Sequence, residues 1–310
     1  MLPKMKIQKT VIVFSIILLA LVSCKSSYTK IGDKNANYIP YYLKVYETDS
    51  LFIVGDYQRS YEILDSLFKK YEPIEMEGYY EYSNYVFSAV LSDNTQNIKK
   101  IAKKGYINNG DLSAIQVSVL KKLDSINTVI GLDKKEIEKY KQIYSKNINW
   151  KLREQIHKMS DEDQAIRQVD KIDMTQLADL TRVHEKMIKE IFEKHGYPNT
   201  KKIGFEENLR AVFLHTDPVE YKPNYLLPKL KEYTIKGYEN PAVYAVVYDK
   251  WYYFNNRKYY YSPPKDHEVF TGAKLDSVRK TIGLPHLKYN DWRSDKFMKE
   301  IIEYRKENRT

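Results

Sequence analysis

Apolar residues in this chain recur at helical spacing far more often than in strand alternation. Tyr41, Tyr42, Val45 and Tyr46 fall on one face of a helix that opens near Tyr38. Gly55-Asp56-Tyr57 interrupts that face, and Tyr57, Tyr61, Leu64, Leu67 and Phe68 start a second stripe. Pro73 follows, and proline cannot continue a helix. A second hairpin is predicted over 79–91 and 98–104, turning at Asp93-Asn94, with Gly105 at the helix C-cap. Asp111 is placed to cap a further helix carrying Leu112, Ile115, Val119 and Leu120.

The second half reads as longer helices. One is predicted over 134–158, through Ile137, Tyr140, Ile143, Tyr144, Leu152 and Ile156. Leu177, Leu180, His184, Met187, Ile188, Ile191 and Phe192 share the face of another, which Gly196-Tyr197-Pro198 stops. A helix with Leu209, Val212 and Phe213 ends at His215-Thr216-Asp217-Pro218, and one more runs from about Pro223 to Lys236 before Gly237. Ala242 to Tyr248 is apolar and fits helix or strand. Trp251 to Tyr261 reads as a β-hairpin turning at Asn255-Asn256. The expected fold is therefore mostly α: helical hairpins followed by an α-rich domain with a small β-hairpin. The expected divisions are a signal segment over 1–23, a tether over 24–37, helical hairpins over 38–130, the α-rich domain over 131–262 and a helical extension over 263–310.

The N-terminus departs from all of this. Lys4, Lys6 and Lys9 precede an unbroken run of apolar and small residues from Val11 to Val22. That run is shorter than the roughly 20 residues that cross a bilayer, but it suits the core of a secretory signal. It ends in Leu21-Val22-Ser23-Cys24, which resembles the lipobox of bacterial lipoproteins. The resemblance implies cleavage before Cys24 and acylation of its thiol, which two or three chains make a firm membrane anchor. Cys24 is the one cysteine of the chain, so lipidation gives it a purpose and no internal disulfide is possible. The alternative is an uncleaved signal anchor that happens to end in cysteine. Lys25, Ser26 and Ser27 carry no acid. Acidic residues at that point resemble sorting marks, and their absence favours an outer-membrane address facing the periplasm.

Composition narrows the partners. Charged residues at 30% and hydrophobic ones at 43% suit a packed globular chain better than a disordered one. The net charge of +10 suits a surface beside anionic lipid. It does not indicate nucleic acid, for the chain has neither an arginine-rich stripe nor a recognised binding motif. The 29 tyrosines could give a face that stacks on sugars or peptides, or could follow from the AT-rich coding that also enriches Lys, Ile and Asn.

Two further resemblances bear on function. Gly55-Asp56-Tyr57 with Ser60 in the following helix resembles a tetratricopeptide hairpin. It implies degenerate repeats and a concave surface for a protein or peptide partner; a purely structural spacer is the alternative. The second half is similar to an uncharacterised bacterial domain family with landmarks Asp-Gln-x-x-Arg, Gly-Trp-Pro, Gln-His-x-Asp and Asp-Arg. Asp163, Gln164 and Arg167 match the first, and Gly196 and Pro198 the second with Tyr197 for Trp. His215 and Asp217 match the third with Leu214 for Gln, and Asp249 the fourth with Lys250 for Arg.

From these residues a hydrolytic site can be drawn: His215 as general base beside Asp217, Arg167 for an anion, and Asp163 or Asp249 as orienting carboxylate. In the competing reading His215 packs under a helix end and Asp217 caps the next segment. His184-Glu185 lacks the second histidine of a zinc protease, and no zinc spacing, phosphate-cradling glycine loop or Gly-x-Ser-x-Gly elbow occurs. No cofactor is expected. The sequence thus favours a lipid-anchored binding or scaffold protein of the cell envelope, with an envelope hydrolase as the alternative.

Overall fold

The computed structural model describes residues 28–307 apart from 115, 206–208 and 265. The signal segment and Cys24 lie outside the described residues. Among the described residues there are fifteen α-helices and no strand, only two isolated β-bridges. The mostly-α expectation holds.

Local chemistry sets most boundaries. Helix α1 (Ile39–Ile53) starts with Pro40, whose missing N–H would be unpaired in the first turn anyway. Gly55, at φ +83°, turns the chain, and the Asp56 side chain accepts the Arg59 N–H to cap α2 (Tyr57–Phe68). Ser60 is fully buried and donates to the Thr48 carbonyl, so the two helices meet closely at a small residue. Helices α3 (Glu81–Leu91) and α4 (Ile98–Asn109) follow; each of the four packs on the next, and α1 also packs on α3. Gly105 does not cap α4 as expected. It lies inside the helix, where a Cβ would come 2.7 Å from the Leu112 side chain, and Gly110 is the cap.

Helices α5 (Val117–Leu120) and α6 (Leu123–Ile130) lead to α7 (Lys134–Asn147), which opens with a reciprocal Asp133–Glu136 capping box. The single helix predicted over 134–158 is two. Ile148 is extended and the Asn149 side chain accepts the Leu152 N–H, starting α8 (Trp150–Ala165). Then come α9 (Met174–His195), α10 (Thr200–Ile203) and α11 (Arg210–His215). A π-helical turn (Lys222–Leu226) runs straight into α12 (Leu227–Ile235). The last helices are α13 (Pro241–Asn256), α14 (Gly272–Lys280) and α15 (Lys288–Glu307).

The β-hairpin expectation is corrected here. Trp251 to Asn256 continue α13, and the supposed turn residues Asn255 and Asn256 donate to the Trp251 and Tyr252 carbonyls one turn back. Aromatic residues fit strands locally, but here Tyr248, Trp251 and Tyr252 lie at helical spacing, with the Tyr248 and Tyr252 rings stacked. Tyr260 and Tyr261 pack edge-on against Tyr248 from the returning chain. Tertiary packing decides the run.

Three apolar clusters hold the fold, all between Ile31 and Trp292. They are not segregated by half. Tyr42 of α1 points its hydroxyl at the Thr234 and Glu239 carbonyls, 2.8 Å from each, and Tyr38 donates its N–H to the Ile235 carbonyl. Gly237, at φ +81°, takes the Tyr38 ring so closely that a Cβ would lie 2.6 Å from it. Tyr289 of α15 joins the α1–α2 cluster and donates to Asp49 of α1. Nor are residues 28–37 a free tether: Thr29 pairs with the Lys70–Glu72 backbone, Gly32 donates to the Lys236 carbonyl and Ala36 is buried. Most of the tyrosines near the N-terminus are core residues. Tyr38, Tyr41, Tyr42 and Tyr46 are all buried, and their rings pack edge-on in a network.

Candidate functional site

Three of the five residues singled out from sequence meet. Asp163, in the last turn of α8, accepts a hydrogen bond from Nδ1 of His215 at 2.6 Å on one oxygen. Its other oxygen accepts from Nε and Nη2 of Arg167 at 3.3 and 3.2 Å. Helix α11 delivers His215 because Val212 and Phe213 on its inner face are buried against α8 and α13. Burial pushes the Asp163 carboxyl up, but the bonds and charges of His215 and Arg167 together outweigh it and hold it below its ordinary value. Asp163 is thus an ionised carboxylate that fixes one tautomer of His215.

Asp217 and Asp249 do not join them. Asp217 accepts the N–H groups of Glu220 and Tyr221 at 2.6 and 3.1 Å, while its own N–H donates to Glu185. Burial acts to raise its carboxyl, and the backbone donors outweigh that and lower it. This is the capping role, with no orienting contact to His215. Asp249, buried on α13, collects three successive N–H groups, from Tyr260, Tyr261 and Ser262, each at 2.8 Å. Burial nevertheless leaves its carboxyl raised. It shapes the return from α13 and takes no part in the His215 cluster.

Comparison of the chain with protein-family models, curated proteins and solved structures finds no match.

His215, Thr216 and Asp217 form one wall of a groove of about 950 Å³, whose other wall is α9 from Met174 to Lys189. The groove carries apolar side chains in the open: Met174 is 69% exposed and Val219 67%. Lys189 lies 5.2 and 5.0 Å from the Tyr221 and Tyr225 ring centres at the groove's far end. Behind the wall is a residue that sequence reasoning missed. Lys222, in the π-helical turn, is almost fully buried and donates to the Leu214 carbonyl at 3.0 Å. Burial, with the charge of Lys250, lowers its ammonium to about 8. A lysine ahead of Pro223 looks like an ordinary helix start, so only packing could expose it.

The chemistry available at His215 is limited. Among the described residues its Nε2 carries no hydrogen bond, while the threonine hydroxyls of the groove, Thr181 and Thr216, donate to the Leu177 and Phe213 carbonyls. Among the described residues no serine or threonine is hydrogen-bonded to this histidine as a nucleophile would be. No group of three His, Cys, Asp or Glu side chains among the described residues could hold a metal ion. His184, buried on α9, sits 3.3 Å from Glu162 and belongs to the α8–α9 contact.

A second concavity lies on the helical hairpins. Phe68 of α2 and Tyr82 and Tyr85 of α3 form the floor of a cavity of about 780 Å³. Lys30, Lys69, Lys100, Lys104 and Lys201 rim it. The phenol hydroxyls of the floor are already committed, Tyr82 to the Ile101 carbonyl and Tyr85 to Asp65. Lys69 pairs with Asp65 and Lys201 with Glu72, so those two charges are offset. The rim was not singled out from sequence; its one local trace there is the i, i+4 spacing of Lys100 and Lys104 on α4.

The segment entering α3 hides two more carboxyls. Glu75 accepts from the backbone of Tyr82 and Ser83 and from the Ser83 hydroxyl. Glu81 accepts from the backbone of Glu75 and Met76 and from the Tyr41 hydroxyl. Both are almost wholly buried. Burial first, and for Glu75 also the neighbouring Glu81, raises both carboxyls.

Proposed function

We propose that this chain is a lipid-anchored binding protein of the bacterial cell envelope. Cys24 holds it to the outer membrane on the periplasmic side, and the groove beside His215 receives a polypeptide segment of a partner. The observation that carries the reading is the groove itself: apolar Met174 and Val219 stand open beside polar Arg182, Glu185 and Lys189. An exposed apolar patch with a polar rim is the usual mark of a protein contact. His215, oriented by Asp163, supplies a fixed hydrogen-bonding group on the groove wall.

The packing of α1 on α2, α2 on α3, α3 on α4 and α1 on α3 supports reading the first half as degenerate tetratricopeptide hairpins. The buried Ser60 and the Gly55-Asp56 turn are the features such a hairpin requires. The convergence of Asp163, Arg167 and His215 likewise supports the resemblance of the second half to the uncharacterised bacterial domain. The lipid anchor rests on the lipobox-like segment ending at Cys24. Mass spectrometry of the membrane-extracted protein tests it: a mature chain starting at an acylated Cys24 is expected, and an unmodified thiol there sinks it. For the groove, a photo-crosslinking residue at Val219 is expected to give one discrete adduct in cells that Met174→Glu abolishes. Adducts that persist unchanged in that variant would refute the groove as the docking site.

A second reading is an envelope hydrolase, favoured by the 2.6 Å Asp163–His215 bond, which leaves Nε2 to activate a water. It requires slow ester turnover that His215→Ala abolishes. Turnover equal in both proteins, or absent from both, removes this reading.

A further inference from the structure

The lysine-rimmed cavity lies beside the point where the described chain begins. Tyr28 lines that cavity and is 45% exposed at its mouth. Cys24 precedes Tyr28 by four residues, and four residues of chain reach at most about 14 Å. An acyl chain on Cys24 enters the bilayer at the headgroup level. The cavity mouth is therefore tied within about two Debye lengths of that surface at physiological salt. The tie is short because residues 29–36 are bonded to the body of the protein, through Thr29 to the Lys70–Glu72 backbone and Gly32 to Lys236.

The chemistry of the rim matches what it would meet there. Lys30, Lys100 and Lys104 are exposed, and among the described residues none has an acidic partner. The rim's two acids, Asp65 and Glu72, are each occupied by a different lysine. The geometry points to this cavity as the membrane-facing site of the anchored protein, taking the phosphates of anionic lipid headgroups between Lys30, Lys100 and Lys104. The inference rests on lipidation of Cys24. It adds an orientation: the hairpin face bearing α2 and α4 lies on the bilayer, with the phenol of Tyr28 at the water–lipid boundary, where such amphipathic rings are favoured.

Residues 25–310 contain every side chain of the three cores and can be made without lipid. The test measures their binding to vesicles of phosphatidylcholine alone and of phosphatidylcholine mixed with phosphatidylglycerol. Binding to the mixed vesicles only is expected, weakened at least about tenfold by Lys100→Glu with Lys104→Glu. The same two-charge change at Lys171 and Lys194, exposed lysines outside the cavity, is expected to weaken it far less. Equal losses from both pairs would mean that net charge alone acts and would overturn the site. So would failure to bind the mixed vesicles. Capture of glycerol 3-phosphate in solution, with no vesicle binding, would make the site one for a soluble phosphate and overturn the membrane orientation. Mass spectrometry of native Cys24 separates the two readings: an acylated Cys24 with no vesicle preference removes only the headgroup site.

Discussion

Asp163 and His215 lie 52 positions apart in sequence and 2.6 Å apart in the fold. Arg167 holds the other oxygen of the same carboxylate, so one nearly buried charge ties the end of α8 to the end of α11. Replacing the carboxylate by an amide removes the charge and leaves one of the two partners facing an NH2 donor. Asp163→Asn is expected to cost about 1–3 kcal/mol at neutral pH. The sign of its pH dependence follows from the lowered carboxyl. Its stabilisation is complete above the ordinary value of 3.8 and is lost as pH falls below that value through the folded one. Urea unfolding of both proteins across that range checks this: the gap must close on the acid side.

The buried Glu75–Glu81 pair has the opposite sign. Both carboxyls are raised above 4.5 by burial, so the folded state holds a proton that the unfolded chain gives up. Their contribution to stability is full below that ordinary value and is lost as pH rises above it. Glu75→Gln removes the titration while keeping an acceptor for the Ser83 hydroxyl. The variant is expected to lose less stability than the wild type between about pH 5 and pH 8. Parallel denaturation curves that keep the same spacing at both pH values would contradict the assignment.

Arg293 on α15 pairs with Asp49 of α1, with Nε 2.8 Å from the carboxylate, and also donates to the Gly78 carbonyl. Asp49 is 2% exposed, so Arg293→Ala strands a buried carboxyl and is expected to cost about 3–5 kcal/mol. Asp49→Asn with Arg293→Ala is expected to be less destabilised than the sum of the single changes by about 1 kcal/mol or more. A double-mutant cycle by chemical denaturation gives the coupling directly; additivity would mean that α15 is not held by this pair.

Gly237 and Gly55 share nearly the same backbone angle, φ +81° and φ +83°, but differ in surroundings. A methyl at Gly55 meets nothing within 4 Å, whereas at Gly237 it meets the Tyr38 ring at 2.6 Å. Gly55→Ala is expected to cost about 1–2 kcal/mol from the left-handed conformation alone. Gly237→Ala is expected to cost about 1–3 kcal/mol more, because Tyr38 must move and with it the junction of the two halves. Thermal unfolding of the two variants side by side checks the difference.

The α1–α2 hairpin was legible because its signals are local. A glycine turn, a small residue at a helix contact and a proline after the second helix act within one or two turns of chain. The Asp163–Arg167 contact is equally local: Asp163 sits in the last turn of α8 and Arg167 four residues on, just past the helix end, where the chain brings it back to the carboxylate. The aromatic run from Trp251 was misread because aromatic residues serve strand and helix alike, and only the returning Tyr260 and Tyr261 rings select the helix. Gly105 was misplaced because a glycine reads as a helix stop until its contact with Leu112 is known.

By itself the sequence determined a helical chain, an N-terminal stretch too short to span a bilayer and a cysteine two residues past its end. Spacing and length carry that information, and both are properties of the covalent chain. Which aspartate meets His215, that Lys222 is buried and that Glu75 lies beside Glu81 were decided by the tertiary structure alone. Those facts depend on which distant surfaces exclude water from each other, and no local pattern of residues records that.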